Sequence, residues 1–291
     1  MELDLYHPEK SGLILTDVQG LGIEGVDVST TSLGNQNGAI FNNSRMGVRN
    51  ITLDVTMLYT ESNIEGIRHR MLEYFLPNLP ITLIFETDEI QAQIKGYVDK
   101  VDPEIFQSRE YGQISIICPD PCFYANDYVI TTFSGAMPLF EFPFSNESLT
   151  TKLIQFGELL EDPRARINYK GSLATGITIR IDFQSESDSI TIWNVDTEEE
   201  LTVNMNILLS NFLLQPTRGD YIEISTITGS KKAELFVAST GKKHNIISAI
   251  DINSTWLQLT PGMNVFDFYA ANNTDRNLVF TFKWKDAYAA I

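Results

Sequence analysis

Ile177-Thr178-Ile179-Arg180-Ile181-Asp182-Phe183 alternates apolar and polar side chains without a break, the period of a strand that buries one face and wets the other. The same alternation returns at Leu201-Thr202-Val203-Asn204-Met205, at Ile222-Glu223-Ile224 and at Leu278-Val279-Phe280-Thr281-Phe282-Lys283-Trp284. Turn residues separate these runs: Gly171, Arg218-Gly219-Asp220, Gly229-Ser230, Gly241 and Pro261-Gly262. Short alternating strands at this spacing predict an antiparallel β-sandwich for the second half of the chain. Helical periodicity largely disappears there.

Toward the N-terminus the pattern is mixed. Ile51-Thr52-Leu53-Asp54-Val55-Thr56-Met57 is another alternating strand. A helix over Ser62–Phe75 comes next, with Ser62 and Glu65 at capping-box spacing and Ile64, Ile67, Met71, Leu72 and Phe75 on one stripe; Pro77 stops it. Strands are expected at Ile81–Phe85, Ile90–Val98 and Gln113–Cys118, the last running into Cys118-Pro119-Asp120-Pro121-Cys122-Phe123-Tyr124. The change of character near residue 134 divides the chain into a first domain at 1–133, a linker at 134–145 and a second domain at 146–291. The fold class is mainly β, with one α-helix in the first domain.

Composition narrows the function classes. The 291 residues include 21 Lys or Arg against 38 Asp or Glu, a net charge of −17, which argues against a nucleic-acid binder that would need a basic surface. No apolar run reaches the length of a membrane-spanning helix and the first residues lack the pattern of a signal peptide, so no membrane insertion and folding in a cytoplasm are expected. Cys118 and Cys122 do not amount to a disulfide framework.

The candidate motifs each fall to a plainer reading. Gly20-Leu21-Gly22-Ile23-Glu24-Gly25 matches the dinucleotide fingerprint, but β-like Val26–Thr31 stands where a helix must open, so a glycine-rich turn is the reading. Cys118-x3-Cys122 lacks the second ligand pair of a zinc site, since His7, His69 and His244 are scattered. The acidic run Asp196-Thr197-Glu198-Glu199-Glu200 reads as a solvated hairpin tip. Among Trp193, Trp256 and Trp284, core filling outweighs sugar stacking, and Trp193 and Trp256 are kept as weak carbohydrate-contact candidates. No catalytic set, cofactor site or metal site emerges.

The order of these parts resembles the distal tail protein (Dit) of bacteriophages with long, non-contractile tails. The resemblance is carried by Gly38-Ala39-Ile40 and Arg49-Asn50-Ile51-Thr52-Leu53, by the helix Arg68-x-x-Met71-Leu72-x-x-Phe75 ahead of Pro80-Ile81-Thr82-Leu83, and by Ile94-Lys95-Gly96-Tyr97-Val98. The Cys118–Tyr124 junction adds to it, as do Gly219-Asp220-Tyr221-Ile222 and Trp256-Leu257-x-Leu259-x-Pro261-Gly262-x-Asn264. Cys122 departs from the family, which more often has an aromatic residue there.

The resemblance implies a non-enzymatic structural protein of the virion tail tip, or baseplate, made and assembled in the bacterial host cytoplasm. The first domain is then a tail-tube-like β-sandwich or barrel that forms a ring, normally a hexamer; the second is a galectin-like antiparallel β-sandwich. The implied partners are further copies of the chain, the tail-tube protein, the tail-tip hub or tail-associated protein, and receptor-binding proteins, with DNA passing through the ring without tight binding. The second domain lacks the polar and tryptophan cluster with which galectins hold galactose. The competing reading is a carbohydrate-binding module or an accessory domain of a cell-wall enzyme.

Overall fold

The computed structural model of the chain describes every residue except 1, 24, 35–36, 59–63, 105–109, 135, 139–156, 160–163 and 271–277, and the backbone alone at 64, 134, 136–138 and 157–159. The chain divides into two compact units, Met1–Asn126 together with Ala287–Ile291, and Asp127–Asp286.

In the first unit a four-residue helix, α1 (Pro8–Ser11), leads into strands β1 (Leu13–Gln19), β2 (Val26–Ser32), β3 (Ala39–Met46) and β4 (Arg49–Met57). Helix α2 (Ile64–Tyr74) is next, then β5 (Pro80–Glu86), β6 (Gln91–Glu104), β7 (Tyr111–Cys118) and β8 (Phe123–Ala125). The main sheet is antiparallel in the order β1-β4-β7-β6-β8, completed by Ala287–Tyr288 on β8, with β5 also paired to β6. Burial alternates along β4, which turns Ile51, Leu53, Val55 and Met57 inward. The strand expected to end at Val98 continues to Glu104, because pairing slips by one residue between Val98 and Lys100. Such a bulge bends a strand and increases its twist. The first half of β6 thus pairs with β5 and the second half with β7, curling the sheet around its core.

Helix α2 covers that core with Ile67, Met71 and Phe75, a ridge of i, i+4 neighbours. Leu72, placed on the same stripe by the sequence reading, is exposed, since one residue beyond Met71 lies about 100° around the helix. The capping residue Ser62 lies outside the described residues. Gly112 on β7 makes room for the helix: a Cβ there would stand 3.2 Å from the Met71 sulfur. Arg68 fastens the next turn, donating from Nη2 to both oxygens of the buried Glu110 carboxylate at 2.8 Å.

The second unit continues with β9 (Val129–Ser134), the short pair β10 (Ala136–Pro138) and β11 (Gly157–Leu159), β12 (Ala165–Tyr169), β13 (Thr175–Gly176) and β14 (Thr178–Phe183). Next come β15 (Ile190–Asn194), β16 (Glu199–Val203), α3 (Met205–Phe212), β17 (Tyr221–Ser225), β18 (Lys232–Val237) and β19 (Lys242–Asn245). The last strands are β20 (Gln258–Leu259), β21 (Gly262–Ala270) and β22 (Leu278–Trp284). A six-stranded sheet, β19-β18-β17-β14-β22-β9, faces a four-stranded sheet, β12-β21-β15-β16. Phe268 of β21 stacks on Phe280 of β22 with ring centroids 4.0 Å apart, and Phe266 meets Phe282 at 5.2 Å. These aromatic pairs join the two inner faces of a β-sandwich. Asp220, buried in the turn before β17, accepts from the backbone N–H groups of Thr217 and Ala238, each at 2.8 Å.

Two further features differ from the sequence expectation. The alternating run ending at Met205 predicts a strand through that residue, but Met205 opens α3: the Asn204 side chain accepts from the N–H groups of Asn206 and Ile207, an N-cap that ends β16 and starts the helix. The seam between units lies at 126/127 rather than at 133/134. The register pairs Val129–Ser134 with Val279–Trp284 of β22, so that strand belongs to the sandwich, while Ala287–Ile291 returns to the first unit.

Candidate functional site

The glycine-rich segment is held by a cation, contrary to what a phosphate cradle requires. Arg49, only 3% exposed, donates to the carbonyl oxygens of Gly20 (2.6 Å), Gly22 (2.5 Å), Pro121 (2.7 Å) and Ala289 (2.6 Å). Its guanidinium also lies 4.7 Å from the centroid of the Phe123 ring. Carbonyls therefore face inward at this turn, whereas a dinucleotide site presents N–H groups at a helix start. Gly20 has φ +88°, and a Cβ on it would come 2.1 Å from the Asn50 carbonyl oxygen, so glycine is required by close backbone approach. The turn opens into strand β2 and not into a helix, in agreement with the β-like sequence of Val26–Thr31. The sequence reading singled out Arg49 only as part of a family pattern; its acceptors are backbone atoms far away in the chain, which leave no side-chain signature.

Beyond this staple the chain projects a hairpin. β2 and β3 pair only with each other, from Val26 opposite Met46 to Ser32 opposite Ala39. Every residue of β2 is exposed, and so is every residue of β3 except Met46. Val28, Ile40 and Phe41 are among those left in water, Phe41 at 60% exposure. The base is pinned by the Gly47 N–H donating to the Gly25 carbonyl at 2.9 Å, and the shaft by Asn42 donating to the Thr31 hydroxyl at 2.7 Å. An isolated two-stranded hairpin is marginal in water, and apolar side chains on it gain nothing until another surface covers them.

The other singled-out residues lie apart. Cys118, at the end of β7, is buried and Cys122 half-buried; both are free thiols, and burial pushes each up to about 11. Among the described residues no group of His, Cys, Asp and Glu is placed to hold a metal ion. His7 bonds to Asp4 at 2.7 Å, His69 is exposed on α2, and His244 lies on β19. The acidic run forms the turn between β15 and β16, with Asp196 accepting from the Val265 N–H and Asn194 accepting from the N–H groups of Asp196 and Thr197. The three tryptophans differ in setting. Trp284 is buried and donates to Asp286 at 3.2 Å, and Trp256 is half-buried against the sandwich core with the Lys231 ammonium 5.3 Å from its ring. Trp193 is exposed on the outer side of β15. Core filling thus holds for Trp284 and, in part, for Trp256, while Trp193 departs from it.

Comparison with known proteins bears on both halves of the chain. Residues 13–118 match the phage tail protein RIFT-related domain, and residues 170–288 match the siphovirus-type tail component, C-terminal domain. The crystal structure of SPP1 Dit, described as a paradigm of the hub adsorption apparatus in phages infecting Gram-positive bacteria, is similar with a TM-score of 0.65 and 15% identity, over 95% of this chain and 94% of that one. The phage P2 baseplate in its activated conformation with Ca is similar with a TM-score of 0.43 and 10% identity, over 94% of this chain and 90% of that one. No curated protein matches the sequence.

Proposed function

The chain belongs to the siphophage distal tail protein (Dit) family and is a structural component of a phage tail tip, and from that premise we propose that its copies close into a hexameric ring at the end of the tail tube. The first unit forms the ring, which joins the tube to the tail-tip hub. The sandwich of the second unit presents the surface for receptor-binding parts, and DNA passes through the ring. The protein works by assembly and has no catalytic role. It is made in the host cytoplasm and resides in the virion.

The observation that carries this reading is the β2–β3 hairpin. A chain that leaves fifteen strand residues without a sheet on either face, apolar ones included, is built to lay them on a neighbour. The net-acidic composition supports free passage of DNA: residues 1–135 carry 8 Lys or Arg and 19 Asp or Glu, a sum of −11 per copy, which a ring multiplies. A wall of that charge offers phosphates no counterion release.

The test is particle mass by light scattering on the full chain. The expected particle is roughly 200 kDa, six times the 32.8 kDa chain, at micromolar concentration. Val28→Asp with Phe41→Asp, both on exposed positions, should leave the melting temperature unchanged and release single chains. A full chain that stays monomeric throughout, or a ring indifferent to both substitutions, would refute the assignment.

A further inference from the structure

The outer face of the four-stranded sheet carries its charges in a pattern complementary to itself. Alternation along β12, β21, β15 and β16 sends Ile167, Phe266, Ile192 and Leu201 into the core and the intervening side chains outward. The register aligns these in rows across the sheet. In one row Trp193 stands opposite Asp267 on one side and Glu200 on the other, and Arg164 bridges Asp267 at 3.6 Å from the β12 side. In the next, Arg166 stands opposite Val265, whose carbonyl accepts from the Val195 N–H at 2.8 Å, and Glu198 lies beyond it in the turn. Each row thus runs from an arginine at the β12 edge to a glutamate at the β16 edge. Between them lie exposed Trp193 (44%) and Val195, flanked along β21 by exposed Met263 and Tyr269 (64%). Of the carboxylates inside the face, Asp267 has Arg164 as its partner and Asp196 accepts from the Val265 N–H at 2.9 Å, so covering them leaves neither without a partner.

We propose that this face is a self-association surface, through which two copies of the chain pair sheet to sheet about a two-fold axis running along the strands. That axis lays the β12 edge of one copy over the β16 edge of the other, so Arg164 meets Glu200 and Arg166 meets Glu198, twice each. The alternative in-plane axis, across the strands, would set arginine on arginine. Among isologous arrangements the charges select the first. Aromatic, methionine and arginine side chains are also the types enriched at interface centres.

The footprint sets the strength. Four strands about 4.8 Å apart and five residues of about 3.4 Å give a face of roughly 300 Å² in projection. A standard stable interface buries about 800 Å² a side, so one pair is weak and several held together are strong. The inference stands independently of the ring, which would merely present several faces at once.

Sedimentation velocity on the full chain, from low to high micromolar, tests it. The reading is whether the base particle, ring or single chain, doubles in mass with concentration; the base mass itself reports on the ring separately. Doubling is expected in the wild type and should weaken with salt, as exposed charge pairs do. Arg164→Glu with Arg166→Glu should raise the concentration for half-doubling at least tenfold with the melting temperature unchanged. Adding Glu198→Arg and Glu200→Arg to that chain should restore it. A wild type that never doubles leaves the face to another partner and overturns the proposal, as does doubling that ignores the reversal or is not rescued by the swap.

Discussion

Replacing Arg49 by methionine is expected to cost the first unit about 4 kcal/mol, a value built from its partners. The guanidinium donates to four backbone carbonyls, those of Gly20, Gly22, Pro121 and Ala289. A hydrogen bond to a charged group contributes about 1.5–3 kcal/mol in isolation. Four such bonds do not add, because burying the cation costs several kcal/mol and because some freed carbonyls will find water. The remainder is the loss typical of one broken buried polar network, about 3–5 kcal/mol. For a unit of this size that lowers the melting temperature by roughly 10–15 °C. Arg45→Met is the control: Arg45 reaches Asp27 at 3.4 Å on the exposed hairpin, and an exposed pair contributes at most about 1 kcal/mol. Thermal unfolding followed by calorimetry, which resolves the two units, gives the values. Hydrogen exchange adds a local reading, since Ile291 donates to the Leu21 carbonyl beside the staple and its amide should lose protection in Arg49→Met alone. Equal melts for Arg49→Met and Arg45→Met would refute the reasoning.

Met71→Asp, which sets a charge where the side chain is fully buried, should destabilise the first unit by several kcal/mol, while exposed Glu73→Lys leaves its melt unchanged. Iodoacetamide should label Cys118 and Cys122 far more slowly in the native protein at pH 8 than after unfolding, because burial holds both thiols near 11. Those raised values also mean that the unfolded chain ionises first, so these groups stabilise the fold below pH 9 and lose that contribution as pH rises toward 11, a trend that urea titrations at stepped pH would reveal. Titration with simple galactosides should show no saturable binding; saturation abolished by Trp193→Ala would count against this. In gel shifts the full chain should fail to retain duplex DNA even at low salt, and retention that fades steeply with added salt would expose a basic track.

Strands whose alternation is uninterrupted were legible in the sequence, and Leu278–Trp284 coincides with β22 from end to end. The fold class and family order came from such runs. α3 was not legible, because an eight-residue helix makes little more than two turns and MNILLSNF is apolar around most of its circumference; only Asn204 marked its start. It ends on Leu213 in the left-handed region at φ 53°, with no glycine to announce the stop. The seam was invisible for a different reason: Val129–Ser134 reads as a strand in either unit, and only its pairing with β22 assigns it. Of the candidate site, the Gly20–Gly25 turn and the β-like run after it could be read locally. The exposure of the hairpin on both faces could not, since its Thr, Ser and Asn residues also suit an ordinary sheet edge.

The Ala287–Tyr288 strand on β8 has a consequence for the order of synthesis. The first unit is interrupted by the roughly 160 residues of Asp127–Asp286 and cannot be finished until they have left the ribosome. At about 5–20 residues per second that interval lasts roughly 10–30 s. Throughout it, Arg49 lacks its Ala289 acceptor and β8 lacks its outer neighbour. The first unit therefore folds to completion only after the whole second unit has been made, and until then its sheet is one strand short and its arginine staple one acceptor short.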